Sequence, residues 1–183
     1  TWLKETSVEE LVDGRTRHVT TYSDPETGLE VRTEAVAYRD RPAIEWVAYF
    51  RNTGDNDTPI LESIQALDGS VSVGSADAVL HYSRGGIWAH CAFEPLHTAI
   101  GAGESLSLSA RRTAEMAPPN AYWFPGDGLS SGHILPFFSL ELQGHGLVVA
   151  LGWSGQWATR WERNADGLLN LSAGMELTRL KLH

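Results

Sequence analysis

The sequence predicts an all-β fold, a large antiparallel β-sandwich of about ten or more strands. Three observations lead there. Apolar residues recur with period two in several segments, turn signals separate those segments, and helix signals are almost absent.

Residues 29–37 alternate cleanly. Leu29, Val31, Thr33, Ala35 and Ala37 face one way, and Glu30, Arg32 and Glu34 the other. Ile44, Trp46, Ala48 and Phe50 form a second such face, after a turn at Arg39-Asp-Arg-Pro42. A strong loop signal follows, Asn52-Thr-Gly-Asp-Asn-Asp-Thr-Pro59. Residues 60–67 and 71–73 again read as strand. In the second half, Leu106 and Leu108 alternate with serines. Residues 137–142 lead through Gln143-Gly-His-Gly146 into Leu147-Val-Val-Ala-Leu151, which is continuously apolar and reads as buried on both faces. Trp157, Thr159 and Trp161 alternate, Asn164-Ala-Asp-Gly167 supplies a hairpin turn, and Leu169, Leu171 and Ala173 return. Thr178, Leu180 and Leu182 make a last short strand. The best helix signal, Ser7-Val-Glu-Glu10, meets Gly14 too soon for more than a turn or two. The stretch 82–135 is rich in Gly, Pro and Ser and holds the longest loops.

A length of 183 residues, 42% of them apolar, supports a sizeable core in one domain. A net charge of −9, with 14 basic residues scattered along the chain, argues against nucleic acid or an anionic membrane as partner. Cys91 is the only cysteine, so no intrachain disulfide forms. A cytoplasmic location fits, and secretion is compatible with an N-terminus that begins on Thr1. No apolar run approaches the roughly 20 residues that cross a bilayer as a helix.

Tests for chemistry return little. Gly152-Trp-Ser-Gly-Gln156 resembles a nucleophile elbow, but its second glycine is misplaced and no helix follows. His81, His90, Cys91 and His97 lie close in sequence, with spacing that matches no usual zinc pattern, so no metal is expected. Gly101-Ala-Gly103 lacks the helix a phosphate cradle needs. No cofactor is implied. Glycoside hydrolysis needs two acids roughly 5 to 10 Å apart, and no pair stands out; Asp68, after Ala66-Leu67, reads as a turn residue. Seven tryptophans are many, and flat rings stack on sugars. Trp46 and Trp161 read as core. Trp88, Trp123, Trp153 and Trp157 lie near glycine-rich turns and are the candidates for an exposed or interdomain surface, with core packing or a covered interface ranked ahead of sugar contact.

Several segments, taken together and in order, resemble the N-terminal domain of α-galactosidase-like glycoside hydrolases, the family 36 group and its melibiase relatives. They are Asp24-Pro-Glu-Thr-Gly-Leu-Glu-Val31, Pro42-Ala-Ile-Glu-Trp-Val47, Phe50-Arg-Asn-Thr-Gly54 and Thr58-Pro-Ile-Leu-Glu62 with Ile64-Gln-Ala-Leu-Asp68. Later come Leu80-His-Tyr-Ser83, Leu135-Pro-Phe-Phe138, Gly152-Trp-Ser-Gly-Gln-Trp157 and Ala173-Gly-Met-Glu-Leu177. The stretch 85–132 resembles the family least. The resemblance implies a large β-sandwich, a supersandwich, followed by a (β/α)₈ barrel that carries the catalytic aspartates. Residues 1–183 would then be a single sandwich domain cut from a longer enzyme whose barrel follows residue 183.

No catalytic residue maps onto this chain, so the chain alone is expected to be inactive. The expected role is non-catalytic. The domain would pack on the missing barrel of its own polypeptide and shape its sugar cleft or an oligomer interface. The alternative is an autonomous carbohydrate-binding module. The implied partners are the barrel, carbohydrate and a homo-oligomeric neighbour. Phe137 and Phe138 join the four tryptophans as carbohydrate or interface candidates, one of the pair being expected in the core.

Overall fold

In a computed structural model, residues 1–75, 77–86, 92–111 and 128–183 are described. Every regular element among them is a strand, and the sheet pairings are antiparallel. No closed barrel occurs among the described residues. No helix among them is long and apolar enough to cross a membrane. The chain divides into two compact units, Thr1–Glu62 with Arg179–His183, and Ser63–Thr178.

The first unit is built on a four-stranded meander in the order β1-β2-β3-β4, with β1 at Leu3–Glu10, β2 at Arg15–Ser23, β3 at Leu29–Tyr38 and β4 at Ile44–Asn52. Ser7 to Glu10 are therefore strand and not a helix start. Turn chemistry fixes the β2–β3 connection: the Asp24 carboxylate accepts the Thr27 hydroxyl at 2.6 Å and the Glu26 amide at 3.2 Å. The register puts Ala35 opposite Trp46 and Val31 opposite Phe50, so the two alternating faces are one face of the sheet. The reverse face is polar, with an Arg17–Glu9 ion pair and the Arg32 guanidinium 4.7 Å from the Tyr49 ring centre. The apolar face is only partly buried. Leu29 is buried, but Ile44 and Trp46 are exposed, so the expectation of a core position for Trp46 fails. Period two names the face of a strand; burial depends on what lies against it.

Two short strands, β5 at Leu61–Glu62 and β14 at Arg179–Leu180, pair to complete this unit. Thr58, buried, holds the C-terminal segment on both sides: its amide donates to the Leu182 carbonyl and its hydroxyl accepts the Leu182 amide, each at 3.0 Å.

The second unit is a sandwich. Its first sheet runs β11-β10-β7-β8, with β7 at Val79–Ser83, β8 at Pro95–Ala99, β10 at Phe137–Leu142 and β11 at His145–Ala150. Its second runs β6-β13-β12-β9, with β6 at Leu67–Ser72, β9 at Ser105–Ser109, β12 at Trp157–Arg163 and β13 at Leu168–Met175. The core lies between the inner faces. Leu80, Phe138, Leu140 and Val149 from one sheet meet Trp157, Trp161, Leu169 and Leu171 from the other. Phe138 meets Trp157 edge-to-face, with ring centres 5.5 Å apart and planes at 86°.

Two expectations change here. The run 147–151 is not buried on both faces. β11 is an edge strand, and Val148 on its outer face is 78% exposed. A short apolar run cannot distinguish a doubly covered strand from an edge strand with one open face. The run 60–67 is also broken: Ser63 adopts a left-handed φ of 54° and separates β5 from β6.

Close packing explains one glycine. A Cβ on Gly174, in β13, would lie 2.0 Å from the Ile64 carbonyl oxygen and 2.6 Å from the Gln65 Cα. Both are backbone atoms and cannot rotate away. Gly174→Ala is expected to destabilise the second unit by about 1–3 kcal/mol, as overpacking does. Urea unfolding followed by tryptophan fluorescence measures it.

Candidate functional site

The outer face of the β11-β10-β7-β8 sheet carries the polar cluster that the sandwich leaves unburied. His81 on β7 lies directly opposite His97 on β8, with ring centres 6.0 Å apart. His81 Nε2 is 2.8 Å from the Glu141 carboxylate on β10. Both side chains of that pair are well exposed, so it adds little stability. An open concavity of about 590 Å³ lies here, lined by His81, His97, Phe137 and Val148 among others. No carboxylate lines it among the described residues. The arrangement can donate and accept hydrogen bonds beside an exposed aromatic ring.

The sequence groups His81 and His97 only by their nearness along the chain and does not link Glu141 to them. His81 and His97 are brought together by strand register, which their spacing of sixteen residues does not reveal. Among the described residues, no group of three His, Cys, Asp or Glu side chains is arranged to hold a metal. His90 and Cys91 lie outside the described residues.

The candidate aromatics separate into two groups. Phe137 points outward on β10, and Phe138, its neighbour, points into the core. Trp157, expected at an exposed or interdomain surface, is instead 0% exposed. It begins the inward row of β12, and its Nε1 donates to the Ser130 carbonyl at 2.7 Å. Its ring offers no face to a sugar. Trp153 stays at the surface, 40% exposed. Its indole lies against Gly155, where a Cβ would meet Nε1 at 2.7 Å, so the glycine makes room for the ring. Trp88 and Trp123 lie outside the described residues. The 152–156 stretch connects β11 to β12, a strand-to-strand connection without the helix of a nucleophile elbow. Asp68 lies in β6, opposite Ser172 and exposed, and not in a turn.

Among the described residues, the carboxyls of Asp13, Asp24, Asp40 and Asp57, all in the first unit, are held below the usual carboxylate range. The causes are hydrogen bonds from Arg15, Thr27, Arg41 and His183 respectively. These are anions stabilised on exposed turns, the opposite of a carboxyl raised to act as a general acid.

No family model matches the chain, and no curated protein matches it. Solved structures do. The family 36 α-galactosidase AgaB from Geobacillus stearothermophilus matches over 100% of this chain and 25% of its own, with TM-score 0.67 and 16% identity. The galactosidase domain of the α-galactosidase–sucrose kinase AgaSK matches over 100% and 25%, with TM-score 0.66 and 16% identity. The α-galactosidase from Lactobacillus brevis matches over 100% and 24%, with TM-score 0.66 and 17% identity. This chain has the fold of one quarter of those enzymes. At such identity the likeness is one of fold, and it spans both compact units. The chain covers about a quarter of the length of the α-galactosidases it matches.

Proposed function

We propose that this chain is a non-catalytic β-sandwich domain of an α-galactosidase-like glycoside hydrolase, and that its job is to pack on the catalytic barrel of the same polypeptide. The supporting observation is the coverage: the whole chain matches, and only a quarter of each enzyme is used. The family-like segments in the sequence run in the same order over most of the chain. Exposed apolar side chains on both units, Ile44 and Val148 among them, suit surfaces that a larger polypeptide covers. Within this reading, Phe137 and the Trp153 loop are the groups that would line a sugar cleft or an oligomer contact.

The test is an assay of the isolated chain with a chromogenic α-galactoside. No turnover is expected. Turnover that disappears when one carboxylate of this chain is replaced would overturn the reading. Calorimetric titration with galactose, melibiose and raffinose runs beside it. The exposed indole of Trp153 favours an autonomous carbohydrate-binding module as the second reading. Saccharide binding abolished by Trp153→Ala selects that reading over the first.

A further inference from the structure

A sheet edge presents a row of backbone donors and acceptors that another strand can pair with, and folded chains guard such edges with charge or proline. In the first unit, β1 carries Lys4, Glu5, Glu9 and Glu10. In the second unit, β8 begins on Pro95, β6 carries Asp68, and β9 alternates leucine with serine. β11 has no such guard. It reads His-Gly-Leu-Val-Val-Ala, and its sole strand neighbour among the described residues is β10. Val148 is 78% exposed and Leu147 36% exposed. The exposed Phe137 stands beside this edge, opposite Ala150 on the outer face.

The backbone pattern tells which groups of β11 look away from β10. The Leu151 amide donates to the Pro136 carbonyl at 2.9 Å. Hydrogen-bonded pairs alternate along an antiparallel ladder. With the observed register, His145, Leu147 and Val149 therefore direct their amides and carbonyls to β10. Those of Gly146, Val148 and Ala150 point away from it, and no partner for them lies among the described residues.

We propose that β11 is a docking edge for a second copy of this chain, the two β11 strands pairing antiparallel about a two-fold axis at Val148. This register sets Gly146 opposite the second copy's Ala150, and by symmetry Ala150 opposite the second copy's Gly146. Every outward amide of one strand then meets an outward carbonyl of the other. On the outer face Val148 meets the second copy's Val148. On the inner face Leu147 meets the second copy's Val149, and Val149 the second copy's Leu147. A slip of two residues either way leaves Gly146 or Ala150 without a partner in the strand. A slip of one residue opposes the wrong faces. The pairing buries no charge, because the only ionisable side chain of β11 is His145 at its start. The result is an isologous contact that joins two four-stranded sheets into one of eight strands. A (β/α)₈ barrel presents an outer ring of helices and no strand edge, so the barrel of the same polypeptide is not the occupant of this edge. That last step rests on the proposed enzyme context; the strand pairing does not.

Sedimentation velocity on the full chain over a range of concentrations tests it. A dimer is expected. Val148→Lys and Val148→Glu each set two like charges against each other at the axis, and each should weaken the dimer by about tenfold or more. The side chain replaced is already exposed, so the fold is kept, which far-UV circular dichroism checks. An equimolar mixture of the two variants should restore the dimer, since an ammonium then faces a carboxylate across the axis. Val148→Pro removes an amide that β10 does not use, so the intrachain ladder survives while the new one loses its central bonds, and the dimer should weaken again. Three results overturn the proposal: a monomer at every concentration, association that these variants leave unchanged, or charged variants that lose the dimer singly and do not regain it when mixed. None of these readouts depends on the turnover assay, so the two proposals stand or fall separately.

Discussion

Replacing Phe138 by alanine should cost the second unit about 3–5 kcal/mol, while the same change at the adjacent Phe137 should stay within about 0.5 kcal/mol. The contrast follows from the pleat of β10. Side chains alternate between faces, so one phenylalanine enters the sandwich and its neighbour leaves it. Phe138 is 2% exposed and Phe137 is 58% exposed. Phe138 also touches both core tryptophans, with ring centres 5.5 Å from Trp157 and 5.8 Å from Trp161. Its truncation opens a void between the two sheets, which close-packed neighbours fill only in part. Tryptophan fluorescence during urea unfolding is the measurement, because Trp157 and Trp161 both lie in this core. The two compact units need not unfold together. Trp2 and Trp46 lie in the first unit, so the fluorescence change is fitted with a separate transition for each unit. Equal shifts for the two variants would mean that the register of β10 is wrong.

The alternation in the sequence carried most of the strands because each strand of a half-buried sheet records its inner face in its own residues. Leu169, Leu171 and Ala173 are legible without knowing their neighbours, and all three are buried. Trp157, a surface candidate for which core packing or a covered interface is ranked ahead of sugar contact, is in the core. Its place in phase with Thr159 and Trp161 pointed inward, and the nearby glycine turn pointed outward; the phase was the better guide. What the sequence could not show is what lies against each face. Ile44, Trp46 and Phe50 read as one face of a strand, and they do share a face of the sheet, yet Ile44 and Trp46 are exposed. Val148 misled in the same way at the other end of the chain. His81 and His97 are seen to lie close along the chain, but their facing each other beside Glu141 is not, for a different reason. The cluster comes from three strands, and only the pairing of those strands brings its members together.

Arg163 is the second position where a single change should be severe. It closes the inward row of β12 after Trp157, Thr159 and Trp161, and it is buried. A guanidinium is tolerated there because its planar fork reaches two carbonyls at once. Nη1 donates to the Ile100 carbonyl and Nη2 to the Gly74 carbonyl, each at 3.0 Å. Ile100 follows β8 in one sheet, and Gly74 follows β6 in the other. The side chain therefore ties the ends of both sheets at one end of the sandwich. Arg163→Ala removes a charged donor from two carbonyls and leaves a hole beside the core. A loss of about 3 kcal/mol or more is expected, since hydrogen bonds to a charged group contribute about 1.5–3 kcal/mol each. Arg163→Lys keeps the charge but offers a point donor that cannot span both carbonyls, so it should recover only about half of that loss. Arg163→Met keeps the apolar stem and gives up both bonds. Stability equal to the parent in the methionine variant would show that packing of the stem, and not the fork, holds this end of the sandwich closed. A ranking of parent, lysine, methionine and alanine by unfolding midpoint separates the bonds from the packing.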